Sequence, residues 1–333
     1  MVTAAYVGSN GKQLRGGGRG IYSNQLEPRY LALGNLLNST ATPANVTAAQ
    51  AIIPGVKLPF ATFVGTIAQM LRPFPQYNGV SDVYGDVGQS NYNALQLSIQ
   101  QRLSKGLTFN FNYTFSKALG TINGTRSAYR QEKNLSTTDQ PHIVNAFYSY
   151  ELPFGKGRMM DPDNNAVRWL ISGWQMSGIT RFSSGAPLGP FTAACNVPQA
   201  GTCWANFNPT FSGPVRINGD WGNGNVLGAV ASATPFIDVN AFVSPASFTY
   251  GNTPSTGAYG LRNPHFFNQD LSVSRNFQIR ENLKFAFGAD AFNVFNNVRF
   301  GSINTNITSA SFGKVGAQAN LPRVFQFKLR LEF

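Results

Sequence analysis

Charge is scarce in this chain. Asp, Glu, Lys and Arg make up 12% of its 333 residues, about half the share usual in a soluble protein. Long apolar runs are missing too: no stretch of 18 apolar residues occurs, which excludes a transmembrane helix. The start, MVTAAYVGSNGK, lacks the basic and apolar regions of a secretory signal and reads as a strand entered mid-fold. Cysteine is limited to Cys195 and Cys203. No further ligands lie near them in sequence, so a metal cluster is not expected. Their spacing permits a loop disulfide in an oxidising compartment, with two free thiols as the alternative.

Catalytic patterns are also lacking. GGGRG (16–20) and FGKGR (154–158) are glycine-rich, but the GK of the second is followed by Gly157 rather than Ser or Thr, so neither is a phosphate loop. Loop and turn glycines account for both. The two histidines, His142 and His265, each follow a proline near the start of a strand, and no G-x-S-x-G nucleophile motif accompanies them. They read as strand-entry residues. The expectation is a protein with no catalytic residues, cofactor or metal.

What the chain has is aromatic residues, at 13%, and many Gly, Asn, Ser and Thr, a profile that suits all-β structure with long loops. Lys plus Arg is 26 against 14 Asp plus Glu, a net +12. The basic residues are dispersed and no recognition helix carries them, which argues against nucleic acid. Phosphate-rich lipid head groups are an equally physical partner for such a charge.

The final ten residues, VFQFKLRLEF, alternate without a break. Phe325, Phe327, Leu329, Leu331 and Phe333 fall on one side of an extended strand; Val324, Gln326, Lys328, Arg330 and Glu332 fall on the other. A helix would scatter residues two apart around its cylinder. Ten residues is also about the 9–11 that a tilted strand needs to cross a bilayer. YNALQLSIQQRLSKGLTFNFNYTFSK reads as a hairpin turning at Ser104-Lys105-Gly106. HIVNAFYSYEL pairs with WLISGWQMSGITRF, and DLSVSRNFQI with LKFAFGADAFNVF; a short strand, TAAYVG, opens the chain.

Connection lengths then decide between a soluble sandwich and a membrane barrel. Short or medium turns near 103–105, 153–168 and 280–282 alternate with long polar segments near 9–91, 119–139, 183–267 and 297–322. Outer-membrane barrels have this alternation, with short periplasmic turns and longer outer loops. The prediction is an antiparallel up-and-down transmembrane β-barrel segment of about eight strands, its apolar side to lipid and its polar side to a lumen. Tyr148, Tyr150, Trp169, Trp174 and Phe115 are expected in interface girdles. Glu151 and Asp290 are lumen-facing carboxylates in otherwise uncharged stretches. They can contact a plug or substrate, or pair ordinarily with Arg181 or Lys284.

SNYNALQLSIQQRLSKGLTFNFNYTFSKAL, ELPFGKGR, GWQMSGITRFSSGAPL and FNQDLSVSRNFQIRENLKFAFGADAFNVFNNVRFG resemble, in that order, the C-terminal barrel portion of Oar-like TonB-dependent outer-membrane receptors. KLPFATFVGTIAQMLRPFPQYNGV, in the first long segment, is similar to the same family. The resemblance covers nearly the whole chain. It implies a barrel of about 22 strands with a plugged lumen, residence in the cell outer membrane, contact with lipid and lipopolysaccharide, and energised uptake of an unidentified ligand. Phe333 and the alternate apolar residues before it resemble the signal read by the barrel-assembly machinery. Residues 1–333 contain no plug and no TonB-contacting box, so the expectation is the C-terminal piece of a longer receptor, coupled to the TonB complex through the missing N-terminal region. A stand-alone small barrel, acting as a passive pore or an adhesive structural protein, is the alternative.

Overall fold

The computed structural model describes residues 1–14, 21–22, 24–82, 85–104, 106–121, 132–194, 196–198, 203–218, 235–280 and 283–333. Eight long strands dominate it: β1 (Val2–Leu14), β2 (Gly88–Ser104), β3 (Leu107–Gly120), β4 (His142–Glu151), β5 (Trp174–Ser183), β6 (Phe266–Arg280), β7 (Leu283–Phe292) and β8 (Val324–Glu332). Each has at least the nine residues a tilted strand needs to cross lipid. They form one antiparallel sheet whose spatial order is the chain order, with the two-residue strand Asn134–Leu135 appended to β3. The opening strand is thirteen residues long, not the short TAAYVG of the sequence reading. Its pairing with β2 carries it on through Asn10 and Gly11 to Leu14.

Every short connection lies at one end of this sheet and every long one at the other, because successive strands are antiparallel neighbours. Gly106, at φ +80, supplies the left-handed residue that the β2–β3 turn requires. The medium connection, 152–173, contains Gly155 and Gly157 of FGKGR, both at positive φ, and then a short helix. His142 is the first residue of β4, and His265 immediately precedes β6. GGGRG lies outside the described residues.

The long connections are not merely polar. The first holds two capped helices, α1 (Pro43–Ile52) and α2 (Ile67–Met70), whose N-caps Thr42 and Thr66 accept from the amides of Asn45 and Gln69. The 152–173 connection adds α3 (Asn165–Ile171), capped by Asn164 accepting from Ala166 and Val167. Leu26, Leu33, Leu37, Val46, Phe63, Ile67 and their neighbours bury against one another in the first long connection and take in Phe248 from the third. A second cluster, centred on Phe191, Ile237, Phe242, Phe312 and Val315, joins the third long connection to the fourth. Polar bonds bring in the second: Asp139 pairs with Arg262 at 2.6 Å, and the Thr256 hydroxyl donates to the Leu135 carbonyl. The four connections thus form one outer platform. Fully apolar pairs such as Phe191 on Phe242, with rings 4.2 Å apart, fix it.

Candidate functional site: the two faces of the wall

Register places the side chains. Directly opposed residues of antiparallel strands share a face, so the pairing can be followed across the whole sheet. From β8, Leu331, Leu329, Phe327 and Phe325 oppose Phe285, Phe287, Ala289 and Ala291 of β7. These oppose Phe277, Arg275, Val273 and Leu271 of β6, which lead to Trp174, Met176 and Gly178 of β5. Tyr150, Tyr148 and Ala146 of β4 follow, then Leu107, Phe109 and Phe111 of β3, Ile99 and Leu97 of β2, and Val2 and Ala4 of β1. With Arg275, Gln269 and Thr180 as exceptions in its central strands, this face is apolar from one edge of the sheet to the other. The opposite face runs through Gln326, Lys328, Asp290, Ser272, Ser177, Ser149, Thr108, Asn112 and Ser98.

Apart from the end of α3 against Phe277 and Arg275, that apolar face is packed on neither buried cluster. Phe325, Phe327, Leu329 and Leu331 are 59, 70, 69 and 55% exposed, and no residue of the eight strands belongs to either buried cluster. A soluble sandwich would press such a face against a second sheet about 10 Å away. Here the dry cores sit in the outer platform and the greasy wall is bare, the inverse of a soluble β-protein. Contiguous apolar surface on this scale marks a protein or membrane contact. Among the described residues no helix is long and apolar enough to cross a membrane, so any crossing is made by strands.

Gln269 and Arg275, two polar groups on the apolar face, have partners there. Gln269 donates to the Tyr148 hydroxyl at 2.9 Å, and the Tyr148 ring lies over Gly178, where an added Cβ would stand 2.5 Å from it. Arg275 donates to the Trp169 and Leu170 carbonyls at the end of α3. Trp169 and Trp174 flank Phe277, with centroids at 5.1 and 6.3 Å, and Trp174 meets Phe287 at 5.9 Å. This is an aromatic band at the short-turn end, and Tyr150, opposite Met176, lies in the next row of the same face. Phe115, 5.2 Å from the His142 ring, stands at the long-loop end. Of the girdle residues read from the sequence, Trp169, Trp174 and Tyr150 stand toward the short-turn end and Phe115 at the long-loop end, while Tyr148 lies further in, opposite Gly178.

The carboxylates differ from the sequence reading in their partners. Asp290 lies on the polar face, nearly buried. It accepts from the Ser272 hydroxyl at 2.7 Å and pairs with Lys328 of the terminal strand, not with Lys284. Lys284 is six residues back along the same strand, near its far end, whereas β8 runs alongside and brings Lys328 across. Glu151 ends β4 at the short-turn end and meets Arg158 of the adjoining connection at 3.3 Å, rather than Arg181. Arg181 stands six registered pairs away, opposite Asn145. Apolar side chains interrupt the polar face, among them the opposed pair Phe147 and Ile179 near its middle, 47 and 56% exposed.

Sequence reasoning missed Asp139 and Arg275. Nothing near Asp139 in STTDQPH signals a partner more than a hundred residues away. Arg275 carried a readable signal, a cation at the third place of the apolar series Leu271, Val273, Arg275, Phe277. Cys203 is buried and disulfide-bonded; Cys195 lies outside the described residues. Phe333 is fully exposed at the end of the bare terminal strand.

No curated protein matches the chain. A family model described as an outer membrane beta barrel domain matches residues 1–326. That match and the inverted distribution of apolar surface agree: this chain belongs to the outer membrane beta barrel domain family, and its place is the outer membrane.

Proposed function

We propose that these strands are a wall segment of an Oar-like TonB-dependent receptor, whose outer platform and plug together capture a ligand for energised uptake. One observation carries the reading: the sheet is open. Among the described residues β1 pairs only with β2 and β8 only with β7. An edge in hydrocarbon leaves each unpaired N–H and C=O at a cost of several kcal/mol, so further strands must complete the wall on both sides. Eight strands closing on themselves would join β1 to β8. Phe147 and Ile179 support a plugged lumen over a water-filled one, since a plug surface can cover them. By this reading the ligand is met by the folded platform, the TonB complex acts through a plug outside these strands, and the barrel-assembly machinery engages the terminal strand. The role is transport rather than catalysis.

Conductance in planar bilayers tests it. The purified chain should give no uniform, long-lived unitary steps. Reproducible steps of one size would mean a closed small pore and would overturn the receptor reading.

A further inference from the structure

The 152–173 connection carries exposed apolar side chains at the short-turn end: Met159 is 82% exposed, Leu170 57% and Trp169 56%, with Met160 and Val167 beside them in the chain. The connection is nonetheless fixed. Arg275 sits on the apolar face of the wall, opposed to Trp174 and Phe287, and is only 6% exposed. Its two terminal nitrogens donate to the Trp169 and Leu170 carbonyls, and its guanidinium lies 4.0 Å from the centre of the Phe277 ring and 5.5 Å from that of Trp169. The Trp174 indole donates to the Leu170 carbonyl at 3.0 Å. Gly173, at φ +74, turns the chain from the helix into β5. The end of α3 is therefore held on the outward side of the wall, neither beneath the lumen nor free in water.

A cation on a lipid-facing strand costs up to about 2–4 kcal/mol at the midplane and far less near the interface. Here it is covered by carbonyls at the negative end of a helix, which favour positive charge, and by aromatic rings. The exposed apolar groups of α3 are continuous with the bare face of the wall, through Trp169, Phe277 and Phe285. Aromatic residues settle at head-group depth, and apolar faces of short helices bury roughly 5–10 Å into the boundary layer.

We propose that residues 152–173 form an interfacial foot: α3 lies in the phospholipid leaflet at the short-turn end, Val167, Trp169 and Leu170 reach toward the acyl chains, and Arg275 clamps the helix to the wall. The inference rests on the membrane placement of the chain and not on the receptor assignment.

The test is carbene labelling of the chain in isolated outer membranes with a lipid-soluble photoreagent, read residue by residue by mass spectrometry. Phe327 and Leu329 report the wall. Trp169, Leu170 and Met159 should label alongside them. Labelled strands with an unlabelled foot would overturn the proposal, as would crosslinking of the foot to a protein. Unlabelled strands would remove the membrane placement itself, and the foot with it. Arg275→Gln should lower labelling of the foot several-fold while leaving Phe327 and Leu329 unchanged, and unchanged labelling of the foot would refute the clamp. Should Arg275→Gln fail to assemble, Arg275→Lys keeps the charge without the fork and should lower foot labelling in the same direction.

Discussion

Replacing Leu329 by Arg puts the account under the most strain. The terminal strand has nine residues, Val324–Glu332, which at about 3.3 Å each span roughly 30 Å along the strand. Tilted by about 40°, that becomes on the order of 23 Å across the membrane, close to the height of the apolar band of an outer-membrane barrel. Leu329 is one residue from the middle of the strand, so it meets lipid near the midplane. A basic residue there costs about 2–4 kcal/mol. Removing the leucine forfeits a further ~1.5–3 kcal/mol of its transfer from water. Leu329→Arg should therefore destabilise the assembled chain by about 3.5–7 kcal/mol. Gln326→Arg is the control. Gln326 opposes Asp290 on the polar face, and the change there should cost less than about 1 kcal/mol. Denaturant unfolding of both variants in lipid vesicles, followed by heat-modifiable gel mobility, measures the difference. Equal stabilities would refute the assignment of faces.

Other consequences follow from named contacts. Asp139→Ala leaves Arg262 facing a vacated, buried position beside the Gly185 carbonyl. It should loosen the platform by about 3–5 kcal/mol, seen as faster hydrogen exchange in 132–141, in 184–194 and at the Ala118 amide, which donates to Asp139 from the end of β3, with the rest of the strands unaffected. Asp161 accepts from the Gly157 amide at 2.9 Å and from Arg168 at 2.6 Å. The Gly157 bond, foremost, and then Arg168 hold its carboxyl below its usual 3.8. A depressed folded value means the stabilisation is complete above the unfolded pKa and is lost as pH falls through the folded one. Exchange protection of the Gly157 amide should be level above about pH 4 and decline below it, whereas Asp161→Asn should be weakly protected throughout. On the proposed reading that the assembly machinery engages the terminal strand, Phe333→Asp should reduce insertion in cells. Unchanged heat-modifiable protein in the membrane fraction would contradict that role.

Strands were legible because a two-residue period survives in each of them. VFQFKLRLEF and LTFNFNYTF state both faces outright, and the alternation of short and long connections gave the ends of the sheet. Local pattern says nothing about which distant groups meet. Lys328 reaches Asp290, and Arg262 reaches Asp139, through pairings set by topology. The long connections were harder still. Their apolar residues, such as Leu33, Leu37, Ile67, Phe191 and Val315, follow no single period, because short helices, bridges and turns pack them from several directions. They look polar on average and yet hold every large dry cluster of the described residues. Arg275 shows the opposite situation: its misplacement in an apolar series was visible, but its partner, the end of α3, was not.

Accessibility along the terminal strand tests the central claim most directly. Spin labels placed singly at 325 through 331, with the chain in lipid vesicles, should report a two-residue period. Collisions with oxygen, which partitions into lipid, should peak at 325, 327, 329 and 331, and collisions with a water-soluble nickel complex at 326, 328 and 330. A flat profile, or a folded monomer in buffer without lipid or detergent whose odd positions are closed to both reagents, would contradict a wall that meets acyl chains on one side and water on the other.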